Sequence, residues 1–149
     1  MFAAFRTRLA LAAGISVLIL APACGSSSPA TPSAPAAPAV NVPFSQTDLV
    51  VGTGAEATAA STITVKYTGW VYDLSKTENK GVQFDTNTAG VTFALPGLIQ
   101  GWIEGVPGMK VGGRRRLVIP PSLGYGNRQV ESIPPNSTLV FDIELVAVQ

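Results

Sequence analysis

Apolar and polar residues alternate along two runs of the chain, at residues 61–71 and 138–148. The apolar positions of these runs are Ile63, Val65 and Tyr67 in the first and Leu139, Phe141, Ile143, Leu145 and Ala147 in the second. Thr and Lys occupy the other side of the first run, and Asp142 and Glu144 lie on the other side of the second. A period of two is typical of a strand with one buried face. Both runs are therefore predicted to be half-buried β-strands.

Three shorter segments are also predicted to be extended. Residues 114–119 and 91–95 have the composition of strands, and residues 48–51 are predicted to form an edge strand. No segment of helical length separates these strands in the way that parallel pairing requires. We therefore expect the sheet to be antiparallel.

One helix is predicted, because apolar residues recur at the spacing i, i+3, i+4 and i+7. These residues are Ile99, Trp102, Ile103 and Val106, and a Pro-Gly pair stands on each side of them. The helix has about two turns. A single apolar helix face and a one-sided sheet bury each other, so the predicted class is α+β, with a curved antiparallel sheet of about five strands wrapped over one short helix.

The first 23 residues are predicted to be a signal peptide. Arg6 and Arg8 stand near the start without any acidic residue, and thirteen uncharged residues follow at 9–21. This apolar run is shorter than the roughly 20 residues of a membrane-spanning helix. We expect an exported protein of the periplasm or cell envelope.

Cys24 is the single cysteine of the chain, and small residues follow it. This arrangement resembles the lipidation signal of bacterial lipoproteins, although Ala21 and Pro22 depart from the usual residues before the cysteine. An unpaired cysteine is unusual in an exported chain, which favours lipidation of Cys24. The alternative is cleavage nearby by an ordinary signal peptidase.

Residues 24–44 are predicted to be a tether that precedes a folded domain at 45–149. The segment is rich in Ser, Ala and Pro, and its prolines recur every third residue at Pro29, Pro32, Pro35 and Pro38. This period matches polyproline II, so we expect an extended, semi-rigid spacer.

Composition excludes several classes of function. The chain has no His and one Cys, which removes His-based acid–base catalysis, most zinc sites and any intramolecular disulfide. Removal of the predicted signal peptide takes away Arg6 and Arg8, so the net charge falls from +1 to near −1. This balance predicts no nucleic-acid partner. We expect no metal and no cofactor, and the sequence carries no signal for assembly beyond a monomer.

Several ordered segments resemble FKBP-type peptidyl-prolyl cis/trans isomerases. The likeness covers about residues 45–149. The matching segments are VKYTG at 65–69, FD at 84–85, GLIQGWIEG at 97–105, MKVGG at 109–113, LVIP at 117–120, LGYG at 123–126 and IPPNSTLVFDIEL at 133–145.

The resemblance implies an enzyme that rotates X-Pro bonds of proline-containing polypeptides, without a cofactor. The residues expected to carry catalysis are Tyr67, Asp85, Trp102, Tyr125 and Phe141. The residues expected to bind substrate are Phe84, Leu98, Ile99 and Ile133. Trp102 is expected beneath the proline ring, and Asp85 beside Tyr67. The Tyr125 phenol and the amide of Leu98 or Ile99 are expected to donate hydrogen bonds to substrate carbonyls.

Other readings of these residues remain open. Trp102, Ile99 and Phe141 would be core residues in any helix-on-sheet domain. The fold could also serve as a chaperone or binding module with little turnover, or as a structural domain of a lipoprotein.

The segments also depart from the family pattern. No Arg follows Phe84-Asp85 in residues 86–90, and Val91 stands near the position of a pocket aromatic. Residues 73–83 are predicted to form a solvated loop, and Arg114 to Arg116 a solvated edge without a ligand.

Overall fold

This computed structural model describes residues 42–149, and the strands and the helix given below are those of the described residues. The predicted signal peptide, Cys24 and most of the predicted tether lie outside the described residues. The strands are β1 Ser45–Val50, β2 Thr62–Tyr72, β3 Lys80–Ala94, β4 Arg114–Ile119 and β5 Leu139–Val148, and the helix is α1 Gln100–Gly105. Single 3₁₀ turns lie at Thr77–Asn79, Leu95–Gly97 and Pro121–Leu123.

All five strands pair antiparallel in one sheet, in the order β1-β4-β5-β2-β3. Helix α1 contacts β4 across the core face of this sheet. The predicted α+β class is therefore confirmed, as is the prediction of an antiparallel sheet of about five strands over one short helix.

β3 is much longer than the predicted strand at 91–95, and the predicted loop at 73–83 is correspondingly shorter. In the pairing of β3 with β2, Val65 is opposite Val91 and Tyr67 is opposite Asn87. Three residues of β3 therefore face one residue of β2. A second irregularity follows at Phe84, described below. These bulges interrupt the alternation in residues 80–90, so a strand spanning them was not recognised.

The core lies between α1 and the sheet. Its fully buried apolar residues include Ile63, Val65, Leu117, Ile119, Leu139, Ile143 and Leu145. Helix α1 approaches β4 closely because Gly101 has no side chain. A Cβ at that position would lie 2.5 Å from the Ile119 side chain. This close approach positions Trp102, the next residue of the helix.

The end of β5 differs from the predicted pattern. The register changes from Thr64↔Ala147 to Val65↔Leu145, which leaves Val146 as an extra residue. Val148 consequently pairs with Ile63 and packs against the core, whereas Ala147 lies on the other face. The assignment of Ala147 to the core side was wrong, because a one-residue bulge reverses every position beyond it.

Arg115 is buried, so the predicted solvated edge at 114–116 was also wrong. β4 lies inside the sheet, between β1 and β5, and Arg115 is only 7% exposed. Its guanidinium donates to both carboxylate oxygens of Asp48, at 2.5 and 3.1 Å, and to the carbonyls of Gly105 and Pro107, at 2.8 and 3.2 Å. One side chain therefore joins the edge strand to the end of the helix.

The opposite face of the sheet carries an ion-pair network around Asp142, which is 8% exposed. Arg116 donates to its two oxygens at 2.7 and 3.1 Å, and Lys80 donates at 2.8 Å. Burial alone would raise the pKa of Asp142, but these hydrogen bonds and charges outweigh it and lower the pKa. Glu78 accepts from the same two cations, which holds residues 77–79 against the sheet.

Candidate active site

A cavity of about 410 Å³ lies between the core face of the sheet and the start of α1. Its lining residues are Tyr67, Phe84, Asp85, Phe93, Gly97, Leu98, Ile99, Trp102, Tyr125 and Phe141. The structure thus brings together all but one of the predicted catalytic and binding residues. These residues come from β2, β3, β5, α1 and the turns that follow β3 and β4.

Trp102 lies at the base of this cavity and is 4% exposed. Three aromatic rings stand almost perpendicular to its indole. The ring centroids of Tyr67 and Phe141 are both 5.4 Å away, and that of Phe93 is 6.3 Å away. Such edge-to-face contacts add to burial in fixing the rings. The result is an apolar pocket with a rigid aromatic base.

A bulge in β3 places two consecutive side chains in the pocket. The register with β2 passes from Gly69↔Asp85 to Trp70↔Gln83, so Phe84 is the extra residue. Consecutive residues of a regular strand point to opposite faces, but here both Phe84 and Asp85 line the cavity. The bulge is therefore what aims the Phe-Asp pair at the site.

Gly69 makes room for the pocket wall opposite that bulge. A Cβ on Gly69 would lie 2.6 Å from the Phe84 ring and 2.8 Å from the Phe141 ring. These two rings meet edge to face, with centroids 5.5 Å apart. Only a glycine lets the two phenylalanines close over the strand in this way.

The Tyr67 phenol donates a hydrogen bond of 2.5 Å to Oδ2 of Asp85. Burial raises the pKa of Tyr67 well above its ordinary value, and the hydrogen bond to the Asp85 carboxylate raises this pKa further. The phenol therefore stays protonated and acts as a donor. This bond holds the two polar groups together at the wall of the pocket.

Among the hydrogen-bond donors of the site, the Tyr125 hydroxyl and the backbone N–H of Ile99 have no partner within residues 42–149. The Leu98 N–H, in contrast, donates to the Leu95 carbonyl at 3.2 Å. Of the two amides named from the sequence, Ile99 is the one left available to a ligand.

Tyr125 projects from the turn that follows β4, between Gly124 and Gly126. Gly126 has a φ of 61°, in the region that favours glycine, and its N–H donates to Pro121 at 2.9 Å. Burial raises the pKa of the Tyr125 phenol, and the Asp85 charge raises it further. This hydroxyl is therefore also a protonated donor.

Two lining residues, Gly97 and Phe93, were not among the predicted site residues, and Phe93 is the side chain that was missed. It stands two positions beyond Val91 on β3, so extending the alternation of that strand would have placed it on the core face.

Ile133, which was predicted to bind substrate, lies elsewhere. It is 4% exposed within the core cluster, and its N–H donates to the Val130 carbonyl at 2.8 Å. It is not a lining residue of the cavity.

The site offers shape, apolar surface and hydrogen-bond donors, and its lining includes no Ser, Cys or Lys that could act as a nucleophile. Within residues 42–149 there is no cluster of three or more acidic, His or Cys side chains suited to a metal ion. No helix of this part is long and apolar enough to cross a membrane. The arrangement can hold a small apolar ring on Trp102 while donors contact adjacent carbonyls.

A curved antiparallel sheet closed over one short helix, with an indole-based pocket between them, defines an FKBP-fold domain. Comparison with known proteins agrees. The family model for FKBP-type peptidyl-prolyl cis-trans isomerases matches residues 54–146. The chain belongs to this family.

Two relatives and one solved structure show how far the likeness extends. FkpA of Escherichia coli K12 is 45% identical over 101 residues, which are 66% of this chain and 35% of FkpA. The FK506-binding protein of Neisseria meningitidis serogroup A is 43% identical over 107 residues, or 68% of this chain and 92% of that protein. The isomerase structure from Pseudomonas syringae pv. tomato superposes with a TM-score of 0.63 at 36% identity, covering 71% of this chain and 75% of that one. The chain spans about a third of the length of FkpA.

Proposed function

We propose that this chain is a peptidyl-prolyl cis/trans isomerase that acts on X-Pro bonds of polypeptide substrates. The observation that carries the proposal is a pocket with Trp102 at its base and with the Tyr125 hydroxyl and the Ile99 amide at its wall, two donors that have no partner within residues 42–149. A proline ring is small and apolar, and it is flanked by carbonyls on both sides. Both properties suit this pocket.

The reaction needs selective binding rather than bond cleavage. Rotation about a peptide bond crosses a barrier of about 18–20 kcal/mol, because the twisted amide loses its resonance. A site accelerates rotation when it binds the twisted amide better than either planar form. Each factor of ten in rate requires a difference of about 1.4 kcal/mol.

The aromatic walls supply such a difference by excluding water. A planar amide has the larger dipole, so the removal of water disfavours the planar ground state more than the twisted state. The donors of Tyr125 and Ile99 hold the flanking carbonyls while the bond turns. Asp85 supports this site by fixing the Tyr67 phenol, and it is not assigned the role of a general base.

The test is acceleration of cis/trans exchange in a short X-Pro peptide, measured by NMR exchange spectroscopy with the 149-residue chain. The two tryptophans of the chain provide a matched pair of variants. Trp102→Phe should slow exchange, because it removes the base of the pocket. Trp70→Phe should not, because Trp70 lies on the opposite sheet face beneath Lys80. Thermal unfolding of each variant reports whether the fold is retained.

A wild-type chain that binds the peptide without accelerating its exchange would contradict the isomerase proposal. That outcome would indicate the binding-module function instead. Equal losses of rate in the two tryptophan variants would show that the pocket is not the site of action.

We also propose that the chain is exported and anchored to the cell envelope as a monomer through a lipid on Cys24. Support comes from the sequence: an uncharged run follows Arg6 and Arg8, and the single cysteine precedes a Pro-rich segment. Mass spectrometry of the mature protein should find an amino terminus at a modified Cys24. The Cys24→Ser variant should lack the modification and leave the membrane fraction. An unmodified mature terminus at another residue would refute the anchor.

A further inference from the structure

Asp85 is the one residue with a charged side chain among those that line the pocket. Its side chain is solvent-exposed, and it shares the pocket wall with the hydroxyls of Tyr67 and Tyr125. A carboxylate in this position faces any polypeptide that enters the pocket.

This carboxylate has no cationic partner in residues 42–149. The ion pairs of this part of the chain use Asp48, Glu78, Asp142 and Glu144, and Asp85 is not among them. Its hydrogen bond from Tyr67 reaches Oδ2 and leaves Oδ1 without a partner within the same residues. The Asp85 charge is therefore not neutralised by any cation of residues 42–149.

The other charged groups near the pocket do not leave a cation beside Asp85. Three charged groups act on the Tyr125 phenol: Asp85 most strongly, then Glu131, and Arg128 least. The two carboxylates raise the pKa of that phenol, and the guanidinium lowers it. Two carboxylates and one guanidinium therefore stand near the Tyr125 side of the pocket.

We propose that the pocket favours a lysine or arginine at X over an uncharged side chain of similar shape, through attraction between the cationic side chain and Asp85. This inference rests on the proposed isomerase function and adds a substrate preference to it. In a trans peptide the Cα of X lies about 3.8 Å from that of the proline, so the side chain of X is held next to a proline ring seated on Trp102. Exposed ion pairs contribute modestly, and the expected preference is about two- to fivefold in kcat/KM.

The experiment compares three peptides that differ only at X, using the 149-residue chain. X is lysine, Nε-acetyl-lysine or glutamate, so that lysine and its acetylated form share an aliphatic stem and differ in charge. The lysine peptide should be isomerised about two- to fivefold faster than the acetyl-lysine peptide at low salt, and the glutamate peptide should be slowest. The difference should shrink in about 1 M salt, where the screening length is about 3 Å.

Two variants assign the preference to Asp85. Asp85→Asn removes the charge and keeps an acceptor for Tyr67, so the ratio of lysine to acetyl-lysine rates should fall to about one. Glu144→Gln removes a carboxylate that pairs with Lys66 on the opposite face of the sheet, and it should leave the ratio unchanged.

The possible outcomes separate this inference from the proposed function. Equal acceleration of all three peptides by the wild-type chain overturns the substrate preference alone. A lysine preference that survives in Asp85→Asn also overturns it. A chain that accelerates none of the three overturns the isomerase function, and the preference falls with it.

Discussion

The three tyrosines of residues 42–149 allow a sharp test of how the pocket works. Each can be changed to phenylalanine, which removes one hydroxyl and keeps the ring. Tyr125 has no hydrogen-bond partner for its hydroxyl in this part of the chain, whereas the Tyr67 hydroxyl donates to Asp85 at 2.5 Å. Tyr72 lies at the end of β2, outside the pocket lining.

The structure predicts a different outcome for each change. Tyr125→Phe breaks no hydrogen bond within residues 42–149, so the free energy of unfolding should stay within about 0.5 kcal/mol of wild type. A net hydrogen bond to a substrate carbonyl is worth about 0.5–1.5 kcal/mol, which corresponds to a loss of roughly two- to twelvefold in kcat/KM. Tyr67→Phe should lower both stability and rate, because it also releases Asp85. Tyr72→Phe should change neither.

The measurements are chemical denaturation for stability and NMR exchange of one X-Pro peptide for rate. Tyr125→Phe with full activity would refute the assignment of its hydroxyl to a substrate carbonyl. A loss of activity accompanied by an equal loss of stability would also refute it, because the hydroxyl would then have a structural role.

Three further predictions concern the scaffold. Asp142→Asn should weaken the decrease of the unfolding free energy with falling pH. Urea unfolding at a series of pH values from 7 to 3 measures this dependence. The lowered pKa of Asp142 contributes stability that is present above about pH 4 and is lost as the pH falls through the folded-state pKa. Gly69→Ala should destabilise the fold by about 1–3 kcal/mol and slow exchange, because its Cβ would overlap Phe84. Arg115→Ala should cost about 2–4 kcal/mol of unfolding free energy, because the Gly105 carbonyl would lose its donor.

Each of these predictions has a result that would contradict it. If the unfolding free energy of Asp142→Asn depends on pH as that of wild type does, the ion pairs of Asp142 are not the origin of the acid sensitivity. Full activity in Gly69→Ala would show that Phe84 can shift to accept the added methyl group without a loss of isomerisation rate. For Arg115, the control is Asp48→Asn. Asparagine keeps an oxygen that can accept from Arg115, and this position is 43% exposed, so the cost should be smaller than that of Arg115→Ala.

Much of the scaffold was predictable because it follows from local periodicity. The strand predicted at 114–119 has the bounds of β4, Arg114–Ile119, since its alternation is uninterrupted. The helix is also local, and its apolar spacing predicted the residue that lies at the base of the pocket, Trp102. The ordered motifs then predicted that Tyr67 and Tyr125 belong to one site.

The errors arose where pairing with another strand decides the outcome. Bulges opposite β2 hid the first part of β3, at residues 80–90, and a bulge at Val146 exchanges the faces of Ala147 and Val148. Arg115 was assigned to solvent because the sequence does not say that β1 covers β4. A bulge is a property of two paired strands, so one strand alone carries little sign of it.

The amino-acid sequence by itself determined the elements, the order of the motifs and most of the residues of the pocket. Within residues 42–149, tertiary structure alone decided that the Ile99 amide is free while Leu98 donates to Leu95, that Phe93 stands against Trp102, and that Asp85 lacks a cationic partner. The physical reason is the separation along the chain over which each effect acts. Periodicity acts between neighbours in the chain, whereas a free donor or an unpaired charge depends on every group that folding brings near it.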